Sequence, residues 1–153
     1  MSGSEGLGAL YDEMILEHGR KPRNRRAQAV PPALETEGYN PLCGDRVRVY
    51  VTLDGDRIAD VSFEGEGCAI STASASMMTE ALRGRSRAEA DELFDRFHAL
   101  LTESGAEADE SALGALAALG GVRAYPMRVK CATLAWHTLR SALAGEGGAT
   151  STE

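Results

Sequence analysis

At 153 residues, 43% hydrophobic and 25% charged, the chain has the length of one domain and the balance of an ordinary globule. A net charge of −7 argues against a general nucleic-acid binder, and no apolar run approaches the ~20 residues of a membrane span. Three widely separated cysteines are an odd count, unlike a secreted disulfide framework. Together with a start, Met1 to Gly8, that carries no export signal, they point to reduced thiols in the cytoplasm.

Leu7, Leu10, Tyr11, Met14 and Ile15 share one helical face, and Gly19 and Pro22 end that helix. A basic stretch follows, with Arg20, Lys21, Arg23, Arg25 and Arg26. It reads equally as a dock for an acidic partner and as a solvated loop. After Pro31-Pro32 a short strand is expected around Ala33 to Thr36. Val47, Val49 and Val51 alternate with polar residues as in a half-buried strand, and Asp54-Gly55 signals a hairpin. The returning strand carries Ile58, Val61 and Phe63 in imperfect alternation and ends at Gly65-Glu66-Gly67-Cys68.

Helices dominate the remainder. One spans Ile70 to Leu82, with Gly84 at its end. Ser86 and Glu89 form a capping box for a helix carrying Leu93, Phe94, Phe97, Leu100 and Leu101. Leu113, Leu116 and Leu119 predict a short helix closed by Gly120-Gly121, and Pro126 introduces a last one with Leu134, Trp136, Leu139 and Leu143. Residues 145–153 read as a small, polar, flexible tail. The order of elements implies an α+β domain over residues 1–144, a small antiparallel β-meander packed against helices.

The cysteines carry the candidate chemistry. Cys43-Gly44-Asp45 puts a thiol and a carboxylate on either side of a glycine that permits a tight turn. Cys68 opens a helix and Cys131 lies near the start of another, where the helix dipole favours thiolate. Three thiolates and one carboxylate make a four-donor set that zinc accepts, and thiolates also hold iron–sulfur clusters. No C-x-x-C pair is present, so by position alone the cysteines read equally well as small buried hydrophobes. His18, His98 and His137 stand beside no cysteine and read as packing or surface residues, and Met14, Met77 and Met78 read as core.

Three stretches resemble known motifs. Asn40-Pro41-Leu42-Cys43-Gly44-Asp45-Arg46-Val47 resembles the first cysteine motif of the SufU/IscU/NifU N-terminal iron–sulfur cluster assembly family. Phe63-Glu64-Gly65-Glu66-Gly67-Cys68-Ala69-Ile70-Ser71 resembles the second, and Tyr125-Pro126-Met127-Arg128-Val129-Lys130-Cys131 the third. Leu10-Tyr11, His18 and Pro22 resemble the family's opening helix. Lys130 occupies the place of the histidine that IscU-type scaffolds carry before the third cysteine, and an extra helical segment, about 86–119, precedes it. Both features resemble the SufU branch.

That resemblance implies zinc held by Cys43, Asp45, Cys68 and Cys131. It implies a sulfurtransferase-like relay in the cytoplasm, taking persulfide sulfur from a SufS-type cysteine desulfurase and passing it to downstream iron–sulfur assembly proteins, without membrane or nucleic acid. Cys43 is the implied acceptor, a desulfurase side chain taking over its place on zinc. Arg128 matches an arginine of the SufU-type third motif and is a candidate switch partner for Asp45. The alternatives are a direct scaffold holding iron or a transient iron–sulfur cluster, and, in another class, a structural zinc module with unreactive thiols. A self-sufficient thiol enzyme would need a paired base, and the sequence shows no Cys-His pairing.

Overall fold

Val47, Val49 and Val51 point into the core at 5%, 0% and 0% exposure, while Arg46 and Arg48 face outward. That alternation makes β2 (Asp45–Asp54) the central strand of the domain. A computed structural model of the chain describes residues 13–25, 34–41, 44–102, 113–144 and 148–151. Gly55-Asp56 turns β2 back into β3 (Arg57–Glu66), with Asp54 opposite Arg57. The register slips between Thr52 and Leu53, so Thr52 faces Asp60 while Leu53 faces Ile58. This bulge explains the broken alternation: one extra residue lets Ile58 and Val61 both point inward.

β1 (Leu34–Asn40) pairs antiparallel with β2 on its other side, from Leu34 opposite Val51 to Asn40 opposite Asp45. It is longer than the strand expected around Ala33 to Thr36. Its buried residues include Thr36, Gly38 and Asn40, which leave no hydrophobic alternation to read. Residues 1–12, which carry Leu7, Leu10 and Tyr11 of the expected first helix, lie outside the described residues. α1 (Glu13–Arg20) is described, with Ile15 fully buried.

α2 (Ala69–Leu82) runs through the centre. Ten of its residues are buried, from Ile70 to Leu82, including Met77 and Met78. α3 (Arg87–Thr102) starts at the expected capping box. The Ser86 backbone N–H donates to Glu89 Oε1 at 2.8 Å, and the Glu89 N–H donates to Ser86 Oγ at 3.1 Å. α4 (Pro126–Leu143) begins with proline in its first turn, where the missing N–H is no loss, and packs on β1, β2 and α2.

Two expectations are corrected. The short helix ending at Gly120-Gly121 is instead a 3-10 helix over Gly114–Ala124 that runs through both glycines. Leu113, Leu116, Leu119 and Val122 recur every third residue and are all buried. Three residues per turn keeps them on one face, which an α-helix does not. The flexible tail of 145–153 gives way at Gly148–Ser151 to β4, parallel to β1, so the sheet order is β3-β2-β1-β4. Pairing uses only backbone groups, so small polar residues take the edge of β1 as readily as apolar ones. The fold is α+β, three antiparallel strands and one short parallel edge strand with helices packed against them. Among the described residues no helix is long and apolar enough to cross a membrane.

His18 and His137 pack inside the domain, and His98 is an exposed residue set edge-on to Phe94. His18 is buried, its Nδ1 lying 2.6 Å from Ser76 Oγ, which also accepts the Arg23 backbone N–H at 2.8 Å. His137 packs edge-on against Phe94 at 5.1 Å and against His98 at 5.9 Å. Burial lowers both His18 and His137 below the ordinary 6.5, and the charge of Arg23 beside His18 and of Arg140 near His137 adds to the effect. A lowered folded-state value means protonation favours the unfolded chain. Their contribution to stability is therefore present above about pH 6.5 and lost as pH falls below it. Metal-free protein should melt roughly 2–4 °C lower at pH 5.5 than at pH 7.5 for each kcal/mol lost. His137→Gln should flatten that slope in calorimetric melts, and an unchanged slope would remove His137 from the account.

Candidate metal centre

Three elements converge at one end of the sheet. Asp45 opens β2, Cys68 is the N-cap of α2, and Cys131 lies in the second turn of α4. One ligand atom from each lies within 4.8 Å of the others. Gly44 brings the chain into β2 at φ +77°, a conformation that favours glycine, and its N–H donates to the Asn40 carbonyl at 2.8 Å. Asn40 is itself fully buried and pairs with Asp45 across the β1–β2 ladder. The carboxylate is thus carried on a pinned strand end.

Local hydrogen bonds orient the donors. The Cys68 backbone N–H donates to Asp45 Oδ1 at 3.2 Å, and Asp45 Oδ2 lies 3.9 Å from Cys68 Sγ. The Ser71 backbone N–H donates to Cys68 Sγ at 3.4 Å, the side-chain cap of α2. The Cys68 thiol is lowered to about 6. A hydrogen bond from the Cys131 thiol is the largest cause and the Ser71 N–H adds to it, while burial and the Asp45 charge oppose both. The site therefore favours thiolate at neutral pH, the form that binds metal. Asp45 and Cys131 are 4% and 1% exposed. The Asp45 carboxylate and the Cys68 thiolate, 3.9 Å apart, repel one another, and a divalent cation between them would turn that repulsion into ligation. Oxygen and sulfur donors together suit zinc, and the sulfurs suit an iron–sulfur cluster.

Of the expected site residues the structure brings together Asp45, Cys68 and Cys131. Cys43 and Leu42 lie outside the described residues, bracketed by Pro41 and Gly44. Arg128 stands one turn before Cys131 on α4, half-buried. Part of the basic stretch is committed within the chain. Arg23 pairs with Glu17 at 2.8 Å, and Arg25 donates to the Gly65 carbonyl at 2.7 Å.

Sequence reasoning passed over Gly67. A Cβ there would lie 2.9 Å from Ser71 Oγ and 3.1 Å from Asp45 Oδ1. The bare backbone lets the Asp45 carboxylate reach over the turn to the Cys68 N–H, and the Gly-Glu-Gly-Cys run was the available signal. Gly67→Ala should push the carboxylate off that N–H and weaken metal binding about 10-fold or more, as loss of a ligand's supporting contact does. Metal-free melting should change little. Competition against a chromophoric chelator reads the affinity, and a wild-type value would show that Asp45 does not depend on this approach.

Comparison with known proteins agrees with this geometry. The profile of the NifU-like N-terminal domain matches residues 10–132. The zinc-dependent sulfurtransferase SufU of Bacillus subtilis is 42% identical over 149 residues, covering 97% of this chain and 99% of that protein. The iron–sulfur cluster assembly scaffold protein IscU of Streptococcus pyogenes is 39% identical over 137 residues, 90% of this chain and 84% of its own. Among solved structures, a candidate cluster assembly scaffold for the SUF system of Fervidobacterium islandicum superposes with a TM-score of 0.76. It is 40% identical, over 90% of this chain and 99% of that one. The N-terminal part of a NifU-like protein from Brucella abortus, 22% identical over 92% of this chain and 96% of that one, shares the fold with a TM-score of 0.80.

Proposed function

This chain belongs to the NifU-like N-terminal domain family, and from that premise we propose that it is a zinc-bound sulfur acceptor for iron–sulfur cluster assembly. The observation that carries the proposal is the convergence of Asp45, Cys68 and Cys131, from three distant parts of the chain, within 4.8 Å. With Cys43 they make a four-donor set of three thiolates and one carboxylate. The likeness to a zinc-dependent sulfurtransferase over nearly the whole chain supports the reading, as does Lys130 where IscU-type scaffolds carry a histidine. We take the working compartment to be the cytoplasm, where thiols stay reduced.

Zinc, when bound, would keep the thiols deprotonated at neutral pH. Cys43 is the proposed acceptor. Its thiolate attacks the terminal sulfur of a persulfide on a SufS-type cysteine desulfurase. The sulfur–sulfur bond of the donor breaks, the donor cysteine leaves as thiolate, and Cys43 carries the persulfide to the downstream assembly proteins. No proton is spent, since attacking and leaving sulfurs are both thiolates. Cys68 and Cys131, carried at the starts of packed helices, would keep their places while Cys43 moves. We assign Arg128 the part of the cation that meets Asp45 when the carboxylate is released, and its place one turn before Cys131 supports this.

A second reading, direct scaffolding of a cluster, is favoured by relatives named as scaffolds, among them the streptococcal protein. Metal analysis of protein purified without added metal separates the two: about one zinc per chain is expected, and an iron chromophore in its place would favour the scaffold. The acceptor is tested by a short reaction with desulfurase and cysteine followed by peptide mass spectrometry. Persulfide should appear first on Cys43, and Cys43→Ser should abolish acceptance while the fold survives. Persulfide on Cys68 or Cys131 with Cys43 unmodified would sink the assignment.

A further inference from the structure

A buried hydroxyl joins the two helices that carry Cys68 and Cys131. Ser74, in the second turn of α2, is fully buried. Its Oγ lies 2.5 Å from the carbonyl oxygen of Ala132, the residue after Cys131, and 3.2 Å from the indole Nε1 of Trp136. The roles follow from the chemistry of the groups. A carbonyl only accepts and an indole N–H only donates, so the one serine proton goes to Ala132 and the indole N–H donates into the serine oxygen. Both of those α4 groups are buried as well.

An alanine would serve better if this contact were only packing. Alanine is the stronger helix former, and its methyl would fill a buried helix position as it does at Ala73 and Ala75 of the same helix. Serine adds a condition. If α2 slid along α4 by one residue, about 1.5 Å, the hydroxyl would leave both partners behind in a region water does not reach. A hydrophobic contact tolerates such a slip, and a satisfied buried polar contact does not. We infer that Ser74 is a positioning residue of the metal centre: its hydroxyl sets the axial register of α2 against α4, and with it the spacing of Cys68 and Cys131. The inference rests on the metal-binding reading of those two cysteines, and Ser74 itself touches no metal.

The full chain tests it through affinity rather than stability alone. Ser74→Ala should weaken zinc binding about 10-fold, read by competition with a chromophoric chelator, and should alter the Co(II) absorption spectrum. Trp136→Phe removes the indole donor but leaves the Ser74–Ala132 bond. It should melt lower yet bind zinc as the wild type does. Ser74→Thr keeps the hydroxyl and adds a methyl to a full core. It too should melt lower and keep its affinity, and it carries the test if Ser74→Ala fails to fold. Wild-type affinity in Ser74→Ala, or lost affinity in Ser74→Thr, overturns the inference and leaves the metal reading standing. A wild-type chain that binds no metal overturns both.

Discussion

The structure depends on one electrostatic problem: a carboxylate and two thiols, from residues 45, 68 and 131, share one corner of the domain, Asp45 and Cys131 buried and Cys68 half-buried. Removing a charge from water costs several kcal/mol unless something answers it. The protein answers with backbone. The Cys68 N–H meets one Asp45 oxygen, and the Ser71 N–H meets the Cys68 sulfur, both from the amino end of α2, whose dipole favours negative charge. These contacts offset part of the cost and leave the other Asp45 oxygen and the two sulfurs facing each other. A cation would answer the remainder, and the pinned strand end at Asn40 and Gly44, the open backbone at Gly67 and the register of α2 are consistent with preparation for one.

α2 is the hub of that preparation, and it works through hydroxyls as much as through apolar surface. Its amino end caps on Cys68. Ser74 ties it to α4, while Ser76 and Thr79 tie it to the α1 side through His18, Arg23 and Asn24. Each bond is satisfied only in one arrangement of its two elements, whereas Ile70, Met78 and Leu82 would bury nearly as well in several. The apolar residues drive the helix inward, and the hydroxyls decide how it sits.

This division explains what could be read from the chain. Valine alternation in β2, the Asp54-Gly55 turn and the Ser86–Glu89 box are local patterns with a fixed period or spacing, and each appears where expected. β1 was read only at its start because its inward positions hold Thr36, Gly38 and Asn40. The 3-10 helix was misjudged because three leucines spaced by three suit either kind of helix, and only Val122 beyond the glycines favours the tighter one. β4 has no side-chain signal, since its pairing is wholly backbone. At the site, the candidate donors stood out as motifs, but the meeting of Asp45, Cys68 and Cys131 is a property of packing. Nothing in the spacing of 45, 68 and 131 shows that Gly67 must be bare or that Ser74 must hold Trp136.

The distribution of exposure around the centre bears on why such a site would take part in chemistry rather than merely staple the fold. A structural zinc site is closed on all sides. Here Asp45 and Cys131 are buried, Cys68 is half-buried, and Pro41 and Gly44 are exposed. Burial and openness are therefore split between the donors. Sulfur transfer between two proteins needs that split, because one thiol must meet a persulfide outside the domain while the others keep the ion. Loops tolerate such movement and packed helices do not. Cys131, in the second turn of a helix packed against α2 and the sheet, has the surroundings of an anchor. Cys43, placed by the chain between an exposed proline and an exposed glycine, has a sequence context suited to the thiol that leaves and returns.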